Sequence, residues 1–595
     1  MNRFAIACLS LICLFLMPNL ALAQQGPDGN AHPESQVISR TADEIVKPFG
    51  DPVLIDMTIQ EKAAFAEAVD LSPLETTTVF HNGRVKILST LAEETVSQLT
   101  GKNRHFDLIV EANPDGSTKS VEKIKYDPMF TFFDIMIDPI YYLDRPLLGV
   151  NYLPLRRAIL YEFQQDPRNA GVAFNLEGWL KTGMVSPRMA DLYATPAFNK
   201  YSDSEPFRTA VGRLDRARRL FLNSIGNLNT VAPESAEQPW GYLGSLPADS
   251  PARVAAIDMA DAWRSADAPG VNAAAQALAD ALAQINPETQ QAASPSLEAL
   301  YNKANAFEWG LWVYLCSLVA LILAFGTGRK WLAMLGVVLL FIAIGFHGFG
   351  FTLRSLIAER FAIQNQFESM TGISFFAALV GAGLMLWKKQ WLFGAAAAGT
   401  GFLILITATT TGIPGETIER EAAILNTSVL LKYHVTTVLT SYGLITLGFI
   451  VSLFYLGTYY SAKFAKGEAP ALATGALSTI DDGSTEKSMG VQRTLKDLDT
   501  ATMTILQLAF WTLGVGTLLG AWWADHSWGR WWAFDPKETW ALVTWIVYLI
   551  VIHVRFMNLK DRGLTTAWLS VAGFIVMLWT YFGVNLLLPG LHAYA

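Results

Sequence analysis

Long apolar runs dominate the second half of the chain, whereas the first half mixes apolar and polar positions as a water-soluble domain does. Eight runs from residue 307 onward each approach or exceed the ~20 residues that a helix needs to cross a bilayer. They cover residues 307–326, 331–353, 369–387, 391–411, 434–459, 501–523, 538–557 and 564–588. This pattern predicts a mainly α fold, in which a polytopic membrane bundle of about eight spans follows an N-terminal domain.

The part of the chain before the first span divides into three predicted segments. A short apolar run after Arg3, ending at Ala21-Leu22-Ala23, has the form of a signal peptide over residues 1–23, and an uncleaved anchor is the alternative. Residues 24–47 are polar and are predicted to be a flexible lead-in. Residues 48–305 have the composition of a folded, mainly α domain, and residues 306–595 form the membrane domain.

The distribution of basic residues predicts the orientation of the spans. If residues 24–305 lie outside the cytoplasm, the loops on the cytoplasmic side hold twelve Lys and Arg residues and the opposite loops hold six. This bias follows the positive-inside rule and agrees with the signal peptide. The sequence therefore predicts a multi-pass protein of a bacterial inner membrane, with the N-terminal domain and the C-terminus in the periplasm.

Composition narrows the possible partners and chemistry. The chain is 52% hydrophobic and 16% charged, with a mean hydropathy of +0.29 and a net charge of -8. It has no basic run with interleaved aromatic residues, so nucleic acid is not an expected partner. Cys8 and Cys13 lie in the predicted signal and Cys316 lies in a span, so the mature chain has no cysteine pair for dithiol chemistry.

A tryptophan-rich stretch over residues 522–540 carries the strongest chemical signal. Seven of the eighteen tryptophans lie between residues 522 and 545, whereas an aromatic belt at a membrane interface accounts for only about one or two per helix end. Indole faces with basic side chains beside them suit a flat, largely apolar ligand that carries carboxylates. The candidate ligand-binding residues in this stretch are Trp522, Trp523, Trp528, Trp531, Trp532, Phe534, Arg530, Asp535 and Lys537.

The same stretch carries a family resemblance. Residues 528–539, WGRWWAFDPKET, resemble the WWD signature of haem-handling proteins, closest to the CcsA (ResC) family of system II cytochrome c biogenesis. That family usually has Trp at the position of Phe534. The segments QNQFES at 364–369, KYHV at 432–435 and PGLHAY at 589–594 also resemble the family. The similarity extends over most of residues 335–595.

A second, shorter resemblance lies in the N-terminal domain. The segment Asn82-Gly83-Arg84-Val85-Lys86 is similar to the periplasmic segment that precedes the CcsA portion in fused CcsBA-type synthases, although Ile87 stands where that segment usually has Pro. This resemblance covers roughly residues 80–160.

Two histidines fit a haem site at the periplasmic face. Neutral imidazole is a common axial ligand of haem iron. His434 begins the fifth predicted span at its outer end and His592 follows the eighth, so both flank the tryptophan-rich stretch. Two solvated interfacial histidines are the alternative from position alone. The resemblance implies that His434 and His592 are the external ligands of haem b.

His553 and His347 lie within predicted spans, where ionisable groups are uncommon. The resemblance implies that His553 is an inner haem ligand and that a CcsB (ResB)-like partner supplies the second ligand; a hydrogen bond to a neighbouring helix is the alternative. At ~1.5 Å per residue, His347 and His553 differ in depth by roughly 18 Å, too far for one iron. His347 is therefore predicted either to line the haem route or to pack structurally.

The resemblance implies that haem is handed to the thiols of a Cys-x-x-Cys-His segment in apocytochrome c, which other proteins keep reduced. A haem lyase activity, exerted together with the CcsB-like partner, would follow. Asp535 and Glu538 could act as acid or base, but Asp-Pro before a helix is also an ordinary N-cap arrangement, which we favour for Asp535. A haem exporter without ligation activity and a diheme electron carrier are the rival functions.

Overall fold

A computed structural model describes residues 47–53, 55, 57–112, 118–169, 176–201, 205–223, 228–235, 238–292, 294–413, 415–419, 429–464, 491–557, 561–588 and 590. The predicted signal peptide, nearly all of the lead-in and His592 lie outside the described residues. The described chain up to Asn302 forms one compact unit, here called the N-terminal unit. The chain from Lys303 onward forms the other, here called the membrane unit.

The N-terminal unit is mainly helical, as predicted. Its helices are α1 (Ile59–Ala68), α2 (Leu88–Thr100), α3 (Pro128–Ile137), α4 (Pro139–Tyr142), α5 (Leu153–Gln165), α6 (Leu176–Thr182), α7 (Pro187–Tyr201), α8 (Glu205–Asn223), α9 (Pro251–Arg264), α10 (Ala268–Ala283) and α11 (Pro287–Ala292). Helix α12 (Pro295–Ala304) runs from this unit into the next. Six of these twelve helices begin at a proline, whose fixed φ and missing N–H suit the first turn.

Three two-stranded antiparallel sheets accompany these helices, and the apolar pattern did not predict them. They pair β1 (Thr78–His81) with β2 (Arg84–Ile87), β3 (Phe106–Ala112) with β4 (Thr118–Lys125), and β5 (Leu148–Gly149) with β6 (Met184–Val185). Asn82 and Gly83 connect β1 to β2 with φ of 49° and 78°. Positive φ at both positions is what a two-residue hairpin turn requires, so the Asn-Gly motif has a structural explanation.

A buried polar network lies inside the N-terminal unit. The Asp134 carboxylate accepts hydrogen bonds from Trp263 Nε1 at 3.0 Å and from the Tyr142 hydroxyl, and it pairs with Lys62. All four side chains are buried. Because an unpaired buried charge is costly, this network fixes the relative positions of α1, α3, α4 and α9.

Eight helices of the described chain are long and apolar enough to cross a membrane, which confirms the predicted bundle. In the membrane unit the helices are α13 (Ala306–Thr327), α14 (Lys330–Ile357), α15 (Gln366–Lys388), α16 (Trp391–Thr410), α17 (Val429–Phe464), α18 (Val491–Trp528), α19 (Pro536–His553) and α20 (Arg562–Leu578). A π-helical turn, Trp579–Gly583, continues α20 into α21 (Val584–Leu587). The chain is thus a multi-pass membrane protein.

Two of these helices are much longer than the predicted spans. Helices α17 and α18 have 36 and 38 residues, which at ~1.5 Å per residue exceeds the ~30 Å hydrocarbon core by far. Trp522, Trp523 and Trp528 therefore lie on the last turns of α18 and not in a loop. Only residues 529–535 of the tryptophan-rich stretch are irregular.

The first testable prediction concerns the polar network of the N-terminal unit. Burial, and secondarily the neighbouring Asp134 carboxylate, raise the pKa of Asp138 from 3.8 to about 7. The folded unit therefore keeps a proton that the unfolded chain releases, and this contribution to stability is lost as the pH rises from about 4 to 7. Asp138→Asn should remove that loss, because the amide oxygen can still accept from Tyr141 N.

Hydrogen exchange of α3 and α9 in the full-length protein, corrected for intrinsic exchange rates, measures this effect. Protection of Asp138→Asn relative to wild type should grow between pH 5 and pH 8. Asp258→Asn, at an exposed position on α9, is the matched control and should show no such trend. Equal pH dependence in wild type and Asp138→Asn would contradict the assignment.

Candidate functional site

Two glycines on α18 allow an unusually close approach of α17. Gly516 and Gly520 form a small-xxx-small pair of the kind that lets membrane helices meet at their backbones. A Cβ at Gly516 would lie 2.8 Å from Val438 Cγ2, and a Cβ at Gly520 would lie 2.5 Å from His434 Cε1. Val438 and His434 are one turn apart on α17, so the glycine face of α18 holds the imidazole of His434 against the helix backbone.

A hydrogen bond within this contact sets the tautomer of His434. Its Nδ1 lies 2.8 Å from the carbonyl oxygen of Gly516. Because a carbonyl oxygen can only accept, Nδ1 carries the proton and Nε2 of the neutral ring carries the lone pair. Metal-binding histidines commonly have their second nitrogen oriented in this way. Sequence reasoning found His434 but not the Gly516-x-x-x-Gly520 motif that orients it, although the motif is legible in the sequence.

A cavity of about 230 Å³ lies beside His434. The end of the bundle that contains it, with Glu368, Gly520 and Asp535, is called the cavity end below. The cavity is lined by the segment before and at the start of α15, by α17, α18 and α19, by Trp532 in the turn before α19, and by the π-helical turn and α21 that follow α20. Of the residues predicted from the sequence, it brings together His434, Trp523, Trp532 and Lys537.

The remaining aromatic and basic residues of the tryptophan-rich stretch do not line the cavity. Trp523 is buried, and its ring packs edge-on against Trp528 with a centroid distance of 4.9 Å. The predicted ligand-binding residues of the stretch that are exposed instead are Trp522, Arg530, Trp531 and Phe534. Phe534 has a φ of 55° and is 79% exposed, so the ring at this position points away from the cavity that the signature surrounds.

Asp535 has the structural role that we favoured. It caps α19 by accepting a hydrogen bond from Lys537 N at 3.2 Å. Glu538 completes a capping box and accepts from the backbone of Ala533 at 2.9 Å and of Asp535 at 3.3 Å. Both carboxylates therefore hold the turn before α19 in shape, which fixes where Trp532 and Lys537 meet the cavity.

A buried charge cluster holds another wall of the cavity. The Glu368 carboxylate pairs with Arg354 at 3.2 Å and with Arg360 at 2.5 Å, and it accepts from the backbone N–H of Gln364 at 3.0 Å. Glu368 and Arg354 are fully buried. Asn365 caps α15 by accepting from Glu368 N at 2.9 Å. These bonds fix the segment QNQFES, of which Gln364, Asn365, Gln366 and Ser369 line the cavity.

Gln366 is a cavity residue that sequence reasoning did not single out. Both polar atoms of its side-chain amide are buried and have no hydrogen-bond partner among the described residues. Leaving such a group unsatisfied costs about 1–3 kcal/mol. The amide therefore suits a ligand that brings its own polar groups into the cavity. No feature of the sequence separates Gln366 from Gln364 before the structure is known.

His347 lies outside the cavity lining and is held at both nitrogens. Its Nε2 donates to the carbonyl oxygen of Thr371 at 3.0 Å, and its Nδ1 accepts from the Tyr314 hydroxyl at 3.4 Å. The ring is fully buried and packs against Phe307 and Phe375. This environment favours structural packing over the alternative of a residue that lines a ligand route.

His553 ends α19 at the opposite end of the bundle. Its Nδ1 donates to the carbonyl oxygen of Leu549 at 2.7 Å and the side chain is exposed. Arg555, two residues on, pairs with Asp499 near the start of α18. His347 instead contacts Phe307 and Thr371, near the starts of α13 and α15. Since successive spans alternate in direction, the two histidines lie near opposite ends, as the depth argument predicted.

Comparison with known proteins identifies the membrane unit. The family model described as Cytochrome C assembly protein matches residues 304–592. The cytochrome c biogenesis protein CcsA of Prochlorococcus marinus (strain MIT 9303) is 32% identical over 245 residues, 39% of this chain and 76% of that protein. CcsA of Gloeobacter violaceus is 26% identical over 307 residues, 46% of this chain and 88% of that protein. Protein NrfI of Wolinella succinogenes is 31% identical over 258 residues, 43% of this chain and 25% of that protein.

A bundle of eight spans with these relatives defines a membrane protein of cytochrome c assembly. The chain belongs to the CcsA family, and its role lies in cytochrome c biogenesis. The predicted membership of the CcsA family is thereby confirmed. The residues that the family model matches lie within the membrane unit.

The charge cluster at the cavity wall generates the second prediction. Glu368→Gln keeps the shape of the side chain but removes the buried carboxylate charge that pairs with Arg354 and Arg360. Breaking a buried ion pair in this way costs about 3–5 kcal/mol, and we expect a loss of that order in the free energy of unfolding. Denaturation of the purified protein in detergent measures it. Glu359→Gln, at an exposed position in the same connection, should be neutral, and equal stability of both variants would contradict the assignment.

Proposed function

We propose that the membrane unit binds haem b as a substrate in the cavity beside His434 and presents it to apocytochrome c. His434 and His592 are the axial ligands of the iron in this proposal. The observation that carries it is the hydrogen bond from His434 Nδ1 to Gly516, because it sets the tautomer that a metal ligand needs on the wall of a cavity. The family's role in cytochrome c biogenesis supports haem as the ligand.

The position of Gly590 supports the role of His592, which itself lies outside the described residues. A Cβ at Gly590 would lie 2.6 Å from Asp535 Oδ1 and 3.2 Å from Pro536 Cδ. Residue 590 is therefore in contact with the cap of α19. Residue 592 is two residues further along the chain, and two residues span at most about 7 Å. Asp535 and Pro536 directly precede Lys537, which lines the cavity.

The cavity lining suits a haem with its propionates. Indole rings of Trp523 and Trp532 and aliphatic side chains of α17 supply apolar contacts. The Lys537 ammonium forms no ion pair with a described carboxylate, and the Gln366 amide lacks a protein partner. We assign these two groups to the propionates. Arg530, Trp522, Trp528, Trp531 and Phe534 stay predicted haem contacts for a bound state.

The chemistry asked of this chain is positioning. Each thiol of a Cys-x-x-Cys-His segment adds across a vinyl group of haem: a carbon–sulfur bond forms and the thiol proton goes to the adjacent vinyl carbon. The addition is redox-neutral, so the thiols have only to arrive reduced, and thiol-reducing proteins supply that condition. Holding vinyl groups and thiols in register supplies much of the rate enhancement.

The inner site of the proposal contains His553 and a CcsB (ResB)-like membrane protein that supplies the second ligand. The exposed side chain of His553, beside Ile546 and Ile550 on the exposed face of α19, is accessible to such a partner. His347 is engaged by Thr371 and Tyr314 and lies near the other bundle end. This argues against an inner site made of His347 and His553, and hence against a diheme electron carrier that holds both haems on its own histidines. The haem exporter differs from our proposal only in forming no thioether.

The third prediction tests the proposed membrane orientation. We place the N-terminal unit and the cavity end on the periplasmic side of a bacterial inner membrane. In a chain with Cys8, Cys13 and Cys316 replaced by Ala, single cysteines at Asp249 and Ser527 should react with an impermeant maleimide in intact spheroplasts. A cysteine at Lys389 should react only after permeabilisation. Labelling at only one of positions 249 and 527 would contradict the orientation.

The fourth prediction tests the outer haem ligands. His434→Ala and His592→Ala should each leave the protein in the membrane but abolish covalent attachment of haem to a co-expressed Cys-x-x-Cys-His acceptor. Added imidazole should partly restore attachment, because it can occupy the vacant coordination position. Holocytochrome at the wild-type level in either variant would remove that residue from the site. Haem bound to the chain without covalent transfer in wild type would favour the exporter.

A variant of a neighbouring residue tests the position of the His434 ring without removing its imidazole. Gly520→Ala adds a Cβ at 2.5 Å from His434 Cε1 and should shift the ring away from Gly516. We expect an altered absorption spectrum of bound haem and reduced holocytochrome with the imidazole still present. Gly345→Ala on α14 is the control, because a Cβ there meets nothing within 4 Å.

A further inference from the structure

A second cavity, of about 220 Å³, lies at the opposite end of the membrane unit and shares no lining residue with the first. Helix α16 forms its floor, and α13 and α17 form its walls. We call it the lateral groove, and we call this the basic end of the bundle, after Arg329, Lys330, Lys388 and Lys389 in the two connections beside it. Neither the haem ligands nor the tryptophan-rich stretch contributes to the groove.

The groove opens sideways from the bundle. Leu392 on its floor and Leu321 on its α13 wall are buried, whereas Ile322 on α13 and Leu453 on α17 are each 44% exposed. In a membrane, the exposed flank of such a helix faces lipid tails. A cleft that is apolar inside and open toward the tails fits an acyl chain.

One polar group in the groove lacks a partner. The indole Nε1 of Trp391 is buried and has no hydrogen-bond partner among the described residues. Trp391 is the first residue of α16, at the depth where tryptophan meets the interface between tails and headgroups. An indole N–H can only donate, so the missing partner is an acceptor oxygen, which the ester groups of a phospholipid have at this depth.

Four basic residues lie close in sequence to the residues at this end of the groove. Arg329 lies four residues beyond the groove residue Phe325, and Lys389 lies two residues before Trp391. Within the described chain, none of the four basic residues forms an ion pair with a carboxylate. Basic clusters between membrane helices attract anionic headgroups. A single ligand that carries both an acceptor oxygen and a negative charge would satisfy the Trp391 indole N–H and the Lys389 ammonium together.

We infer that the lateral groove binds a phospholipid with an anionic headgroup. One acyl chain fills the cleft between α13 and α17, an ester or phosphate oxygen accepts from Trp391 Nε1, and the headgroup charge lies among the basic residues. The site is independent of haem binding and of the membrane orientation proposed above.

Photo-crosslinking of the full-length protein in lipid nanodiscs tests this inference. Phosphatidylglycerol or phosphatidylcholine carrying a diazirine in one acyl chain is included, and crosslinked peptides are mapped by mass spectrometry. Phosphatidylglycerol should label the segments around Trp391 and Leu453, and each basic residue should favour it by roughly fivefold. The double variant Lys388→Gln, Lys389→Gln should lower that preference. Equal labelling by both lipids would overturn the proposal.

Two variants separate a site from general lipid contact. A Cβ at Gly457 meets nothing within 4 Å and Gly457 lines the groove, so Gly457→Leu should fill the cleft and remove labelling there. Gly345→Leu, whose Cβ also meets nothing within 4 Å on α14, should leave labelling unchanged. Trp391→Phe keeps the ring and removes the N–H, and it should weaken labelling without altering the elution of the protein in detergent. Unchanged labelling in both Gly457→Leu and Trp391→Phe would overturn the inference.

Discussion

The contact between α17 and α18 is the constraint on which the cavity end depends. Gly516 and Gly520 have no side chains to separate the two helices, so the imidazole of His434 reaches the backbone of α18. A membrane offers little hydrophobic drive for helix association, and close packing at small residues is one of the forces that replaces it. Here the same contact that joins the helices also fixes the ring, its tautomer and the wall of the cavity.

Ion pairs and caps stabilise the other walls. Glu368 holds Arg354, Arg360 and the backbone of Gln364, and Asp535 with Glu538 holds the start of α19. These carboxylates lie next to the cavity, but their ion pairs and hydrogen bonds hold the cavity walls in place. The lining also includes aromatic faces, the Lys537 ammonium, the Gln366 amide and the His434 imidazole. Such a set binds and orients, which matches a role in cytochrome c biogenesis that needs reactants held in register.

Much of this architecture was predictable because hydrophobic length is a strong signal in membranes. The eight spans and the membership of the CcsA family follow from the apolar runs and from the segments around His434 and Trp532. The helical extension through Trp528 did not, because the hydropathy of α18 falls at Trp522 while its hydrogen bonding continues. Strands β1, β2, β5 and β6 have at most four residues and were too short to show a pattern, whereas β3 and β4 have seven and eight residues and were missed. The Gln366 amide lacks a hydrogen-bond partner among the described residues because of the fold around it, and no local sequence feature predicts this.

The length of α18 has a mechanical consequence. Asp499 joins this helix to Arg555, two residues beyond His553, and Gly516 joins it to His434. The two attachment points are about 26 Å apart along one unbroken helix. A rigid-body tilt that widens the cavity beside His434 must therefore also move the end of α19 that carries His553. Such a tilt of α18 would transmit a displacement at one end of the bundle to the other end.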